Sequence, residues 1–200
     1  MMNKAAALVI VDVQNDFCPK GSLAVPHGDR VIAPLNRAAG YFAAAGLPVV
    51  ASRDWHPQVT GHFKEYGGLW PPHCVQNTIG AAFHHDLRLP DGTVVFSKGS
   101  DPNSDSYSAF DGRDPRGILL GDVLAALKVQ HLYVGGLATD YCVKTTVLDA
   151  LKAGLKVTVL TDAIAGVDVV PGDSEKALEE MAKAGAKVCL TDEAVDSLRS

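Results

Sequence analysis

His131-Leu-Tyr-Val-Gly-Gly-Leu-Ala-Thr-Asp-Tyr-Cys-Val143 passes from an apolar strand pattern into a helical one. His131–Val134 reads as a short buried strand, and Gly135-Gly136 permit a sharp exit from it. Beyond the turn, Val143, Val147, Leu148 and Leu151 recur at helical spacing, with Gly154 as a C-cap. Thr139 or Asp140 is the expected N-cap, which places Cys142 in the first helical turn. Unpaired backbone N–H groups and the positive end of the helix dipole favour a thiolate there, so the reading predicts a lowered Cys142 pKa. The same N–H groups can hold an oxyanion.

Outward from this stretch the alternation recurs along the chain. Val-rich apolar runs at Ala6–Val13, Leu47–Ala51, Thr93–Phe96, Leu132–Val134, Lys156–Leu160 and Lys187–Leu190 are bounded by turn residues. Helical patterns lie between several of them, at Val31–Ala45, Ile118–Leu127 and Ser174–Ala184. Continuous apolar strands alternating with helices predict a single α/β domain with a mostly parallel six-stranded sheet covered on both faces. Two long segments rich in Gly, Pro, His, Ser and Asp, Trp55–Pro90 and Gly99–Arg116, break the pattern. Loops of that length in a compact domain are usually functional.

Composition narrows the function classes. The 200 residues are 47% hydrophobic with a net charge of −5, enough for one full-sized core and without the basic cluster that nucleic acid requires. No apolar run reaches membrane-spanning length. The start, Met-Met-Asn-Lys-Ala-Ala-Ala-Leu-Val-Ile10, is superficially signal-like, but Asp12, Gln14, Asn15 and Asp16 interrupt it too early for a secretory segment. Cys18, Cys74, Cys142 and Cys189 lie far apart with no CxxC spacing, which predicts reduced thiols in a cytoplasm. Among these, Cys189 reads as part of a buried strand, and Cys18 and Cys74 as structural.

In open parallel sheets, ligands bind beyond the carboxyl ends of the strands. The first strand runs into Asp12, the second into Asp54, the third into Lys98 and the fourth into the Cys142 turn. Asp12 sits between Val11 and Val13 and should be desolvated, which raises a carboxyl pKa unless a cation is near; Lys98 is the candidate. Asp12, Lys98 and Cys142 thus form a base–cation–nucleophile set. After the second strand come Asp54, His56, His62 and His73 within twenty residues. One carboxylate and three imidazoles suit a single divalent ion, Zn²⁺ first, with Fe²⁺ or Mn²⁺ as alternatives. His27, His84, His85 and His131 read as structural or exposed.

These segments resemble one known family in order and nearly along the whole chain. The matching motifs are Val11-Asp-Val-Gln-Asn-Asp-Phe17, Ser52-Arg-Asp-Trp-His-Pro57, His62-Phe, Trp70-Pro-Pro-His-Cys-Val75, Lys98-Gly, Asp105-Ser-Tyr-Ser-Ala-Phe110 and Gly136-Leu-Ala-Thr-Asp-Tyr-Cys-Val143. The chain resembles the nicotinamidase/pyrazinamidase branch of the isochorismatase-like cysteine hydrolases. The resemblance implies one Rossmann-like, three-layer α/β/α domain over residues 1–200. It implies Asp12, Lys98 and Cys142 as catalytic triad, Asp54, His56, His62 and His73 as metal ligands, and an oxyanion hole from the Ala138 and Cys142 N–H groups beside a cis Leu137–Ala138 peptide. Phe17, Trp70, Tyr107, Leu137 and Ala138 carry over as the substrate pocket. The implied activity is hydrolysis of nicotinamide to nicotinate and ammonia in NAD salvage, with pyrazinamide also accepted. Small-molecule substrates are the only partners so implied, and a homo-oligomer is compatible.

Two rivals remain at this stage. A metal-independent relative acting on a vinyl ether or an N-carbamoyl compound would share the triad but not the full Asp/His set. A non-enzymatic metal or thiol redox protein would explain a reactive cysteine, but not Asp12 and Lys98 beside it.

Overall fold

The computed structural model describes residues 5–104 and 106–199. The signal-like start, in its first four residues, and Asp105 of the Asp105–Phe110 motif lie outside the described residues. The elements run β1 (Ala6–Val11), α1 (Ile32–Ala44), β2 (Val49–Asp54), β3 (Val94–Lys98), α2 (Leu120–Ala126) and β4 (His131–Leu137). They continue with α3 (Lys144–Lys152), β5 (Lys156–Ala165), α4 (Asp173–Lys183), β6 (Lys187–Cys189) and α5 (Thr191–Arg199). The strands form a six-stranded sheet in the order β3-β2-β1-β4-β5-β6. Every neighbouring pair is parallel.

Strand β1 shows how the layers arise. Its side chains alternate across the sheet. Ala6, Leu8 and Ile10 enter a core with Leu35, Ala38 and Phe42 of α1 and Ala194 and Leu198 of α5. Ala7, Val9 and Val11 enter a second core with Leu120 and Leu124 of α2, Val147 and Ala150 of α3 and Met181 of α4. Both faces are therefore apolar, which is why the strand carries no polar alternation. Winding reverses between the neighbours β1 and β4, and the crevice at their carboxyl ends is where such sheets bind ligands.

Several expectations need correcting. Strand β4 continues through both glycines to Leu137 rather than ending at Val134. Gly136 has φ 131°, and a Cβ there would collide with the backbone of Val11 on the neighbouring strand. The glycine thus permits close strand approach, and the register against β5 shifts between Val134 and Gly136, a bulge rather than a turn. Strand β1 ends two residues early, because Asp12 adopts the left-handed φ of 49°. Strand β6 is an edge strand with Lys187 and Val188 exposed and Cys189 half-buried, so Cys189 is not in a buried strand. Helix α5 was missed: its short run buries only Thr191, Ala194 and Leu198.

The segment between β2 and β3 has almost no regular structure. It is held by isolated bridges between His56 and Val75, Phe63 and Trp70, and Gln14 and Phe83, and by burial of Phe63, Cys74 and Ala81. Among the described residues, no helix is long and apolar enough to cross a membrane.

Candidate active site and metal centre

The strand ends bring Asp12, Lys98 and Cys142 together, each almost wholly buried. The Lys98 ammonium lies 3.0 Å from Asp12 Oδ2 and 3.4 Å from Cys142 Sγ. It also pairs with Asp54 Oδ1, so one cation serves both the expected base and an expected metal ligand. Ser52 Oγ donates to Asp12 Oδ1 at 2.7 Å. Asp12, Asp54 and Cys142 offer atoms within 4.8 Å of one another.

The electrostatics follow from burial and these pairs. Burial raises the Asp12 carboxyl above its ordinary value; Lys98 and the Ser52 hydroxyl offset this only in part, and the Asp54 charge adds to it. Burial acts the same way on Asp54, yet Lys98 and His56 hold that carboxyl below its usual range. Burial opposes the Lys98 charge, but the two carboxylates more than offset it and keep the ammonium protonated. For Cys142 the expectation of a lowered pKa is overturned. Burial pushes the thiol well above its ordinary value; Lys98 opposes this, while the neighbouring carboxylates and a hydrogen bond with Asp12 reinforce it. The helix start alone does not make a thiolate here, because the thiol is desolvated and its proton already has an acceptor.

The turn carrying Cys142 also differs in detail. Residues Thr139–Val143 form a wide π-type turn with Ala138 at its N-cap, rather than Thr139 or Asp140, and α3 starts only at Lys144. The Leu137–Ala138 peptide is cis, as the resemblance implies.

Beside this set, Asp54, His56 and His73 offer ligand atoms within 4.8 Å of one another, all buried. His56 Nδ1 hydrogen-bonds with the Gly99 carbonyl at 3.0 Å, and His73 Nδ1 with the Pro71 carbonyl at 2.8 Å. These bonds orient the rings so that Nε2 of each faces Asp54 Oδ2, at 3.8 and 4.0 Å. Imidazoles with Nδ1 anchored on backbone carbonyls, converging on one carboxylate oxygen, fit a divalent ion. His62 stands just outside that set: its ring lies 4.8 Å from that of His56, and its Nδ1 hydrogen-bonds with Thr60 Oγ1. Three of the four expected ligands thus converge and the fourth adjoins them.

Gly99 makes this packing possible. It has φ 67°, and a Cβ there would lie 2.5 Å from His56 Cε1. Gly99→Ala is therefore expected to displace His56 and to lower bound metal several-fold, measured by metal analysis of purified protein; wild-type metal content would show that His56 is not held by this contact.

Phe17, Trp70, Tyr107 and Ala138 line one pocket with Cys142 and the Asp54/His56/His62/His73 group. Leu137, expected in the pocket, does not line it: its side chain is fully buried in the core with Phe17 and Val25. The Trp70 indole N–H donates to the Tyr107 hydroxyl at 3.1 Å. Sequence reasoning missed Leu23, Ser106, Tyr141 and Val167, which complete the lining. It also gave no role to Ser52 or to Gln14. The Gln14 amide donates to the Asp54 and Ala81 carbonyls at 2.8 and 2.9 Å and accepts the Asp54 N–H at 2.8 Å, which fixes the end of β2. Gln14, Ser52 and Tyr141 all lie inside the matched motifs; that was the available signal. Of the remaining histidines, His131 hydrogen-bonds with Thr158 and His85 is exposed.

A cysteine, a buried carboxylate and a lysine thus meet at the switch point of a parallel sheet, beside an Asp/His cluster. Residues 6–193 match the isochorismatase domain family, and the chain belongs to it. It is 46% identical over 197 residues to the nicotinamidase of Escherichia coli strain K12, covering 90% of this chain and 92% of that one. Its fold is similar to the Pyrococcus horikoshii pyrazinamidase in complex with zinc, with a TM-score of 0.86 and 44% identity, covering 93% and 99% of the two chains. It is also similar to PnC1 from L. infantum in complex with nicotinate, with a TM-score of 0.84, 33% identity and 96% of each chain covered.

Proposed function

We propose that this protein hydrolyses nicotinamide to nicotinate and ammonia, accepts pyrazinamide, and uses Cys142 as its nucleophile. The observation that carries the reading is the single buried Lys98 joining Asp12, Asp54 and Cys142 beside a pocket walled by aromatic rings. A pyridine carboxamide is flat and suits such walls, and relatives named for this activity cover nearly the whole chain.

Asp12 accepts the Cys142 thiol proton while Lys98 balances the charge, and sulfur attacks the carboxamide carbon. The Ala138 and Cys142 N–H groups hold the oxyanion. Asp12 then returns the proton to nitrogen, the C–N bond breaks, and ammonia leaves; without that proton the leaving group would be an amide anion. Water, deprotonated by Asp12, adds to the thioester carbon; nicotinate leaves and the thiol is restored. A raised Asp12 pKa matches a group that must both take and give a proton.

Asp54, His56 and His73 would hold the divalent ion, with His62 as the adjacent donor; zinc is favoured by these ligands and by the zinc-bound relative. When bound, the ion supplies a Lewis-acid contact for the pyridine nitrogen. The chain's own part is to hold Asp54, His56 and His73 in the same pocket that Cys142 lines, so that the ring would be aimed as well as enclosed. All four cysteines are free, in keeping with a reducing cytoplasm.

The test is a comparison of amides with one leaving group. Nicotinamide and pyrazinamide each carry a ring nitrogen meta to the carboxamide and are expected to turn over; benzamide, which lacks it, is expected to show a kcat/KM lower by about 10²-fold. Chelation or His56→Ala should depress nicotinamide hydrolysis and largely erase its advantage. Benzamide matching nicotinamide in the metal-loaded protein would remove the ring-reading role.

A further inference from the structure

Asp140 lies in the same turn as Cys142 but does not line the pocket. It is 6% exposed, and both its carboxylate oxygens are used on a different segment: Oδ1 accepts the Val167 N–H at 2.9 Å and Oδ2 the Asp168 N–H at 2.8 Å. That segment, which follows β5, is pinned from its far side. Asp168, at φ 50°, accepts the N–H and hydroxyl of Ser174, each at 2.8 Å, at the start of α4. Gly166 fills the gap between the two anchors, since a Cβ there would lie 3.0 Å from Asp140 Oδ1 and would collide with Ser174 Oγ. The Val167 side chain, between these anchors, forms pocket wall together with Phe17 and Leu23.

We propose that Asp140 is a positioning residue: it locks the nucleophile turn to the Val167 wall and so sets the width of the pocket into which Cys142 points its attack. The role rests on the hydrolase reading above. The two consecutive backbone N–H groups each need an acceptor oxygen, and a carboxylate supplies both from one side chain. Asparagine keeps the shape but turns an NH₂ donor against one N–H, so one of the two links is lost and a buried donor is left unpaired. The wall can then move away from the turn. Such movement has two opposite consequences: the substrate is held less well against Cys142, and the thiol becomes easier for a small reagent to reach.

The experiment uses the full chain loaded with zinc. Asp140→Asn is expected to lower kcat/KM for nicotinamide by about 10-fold, with KM raised. At the same time iodoacetamide should alkylate Cys142 several-fold faster relative to Cys18 and Cys74, followed by mass spectrometry. Val167→Ala leaves the bonds of Asp140 to the backbone in place and should raise KM with kcat within about twofold. Wild-type kcat, KM and alkylation in the Asn variant overturn the proposal. So does alkylation that rises at all the cysteines together, because that marks loss of stability and nothing local. Should Asp140→Asn not fold, a wild-type KM in Val167→Ala overturns it. A wild-type protein that releases no ammonia from nicotinamide defeats the hydrolase reading, and the alkylation comparison still decides for Asp140.

Discussion

Cys142→Ala is expected to stop ammonia release from nicotinamide, with turnover falling by at least about 10⁴-fold, while the fold and metal content stay as they are. The side chain is 6% exposed and packs with Val143 and Val147, so loss of one sulfur atom should cost about 1 kcal/mol of stability. The metal cluster of Asp54, His56 and His73 does not include the thiol, so bound zinc should be retained. Cys74 cannot replace the nucleophile: it is fully buried in the core, and burial pushes its thiol well up. A zinc-loaded Ala variant with appreciable turnover would mean that water attacks the amide directly and that no thioester forms. Trapping the acyl group on Cys142 during wild-type turnover, by rapid acid quench and mass spectrometry, checks the same step from the other side.

The second large effect concerns the charges around Lys98. Asp12→Asn keeps the shape and the Ser52 hydrogen bond but removes the proton carrier, so kcat should fall by at least about 10²-fold with zinc content unchanged. Lys98→Ala should be worse for the protein as a whole. Asp12 and Asp54 would then face each other, buried and without the ammonium they share. Removing one partner of a buried pair costs about 3–5 kcal/mol, so a lower melting temperature should accompany the loss of turnover. Because Asp54 is also held by this ammonium, zinc affinity should change in Lys98→Ala and not in Asp12→Asn. Near-normal kcat for Asp12→Asn would place the proton transfer on another group. Unchanged zinc affinity in Lys98→Ala would mean that Asp54 is oriented by Gln14 alone.

These variants all touch residues that the strand order brings together. Asp12, Asp54, Lys98 and Cys142 each follow or end an apolar strand, so their gathering at one sheet edge could be read directly from the alternation of strands and helices. The parallel sheet was legible for the same reason: strands buried on both faces are continuous apolar runs, and few other arrangements tolerate them. The His56, His62 and His73 cluster was legible only through motif spacing, since the segment between β2 and β3 that carries all three has no periodicity to fix how it folds back.

What the sequence determined by itself is the layer architecture and which residue types gather at the strand ends, because both depend on residue type and on local period. The tertiary structure alone decided the state of the thiol. A helix start favours a thiolate, but near-complete burial and the neighbouring carboxylates push the thiol well up, and burial is a property of the whole packed domain. It alone decided that Lys98 serves two carboxylates, that Gly136 admits a neighbouring strand, and that Asp140 reaches across to Val167 and Asp168. Each of these is a contact between segments distant along the chain, set by how the layers pack, and no local pattern encodes such distances.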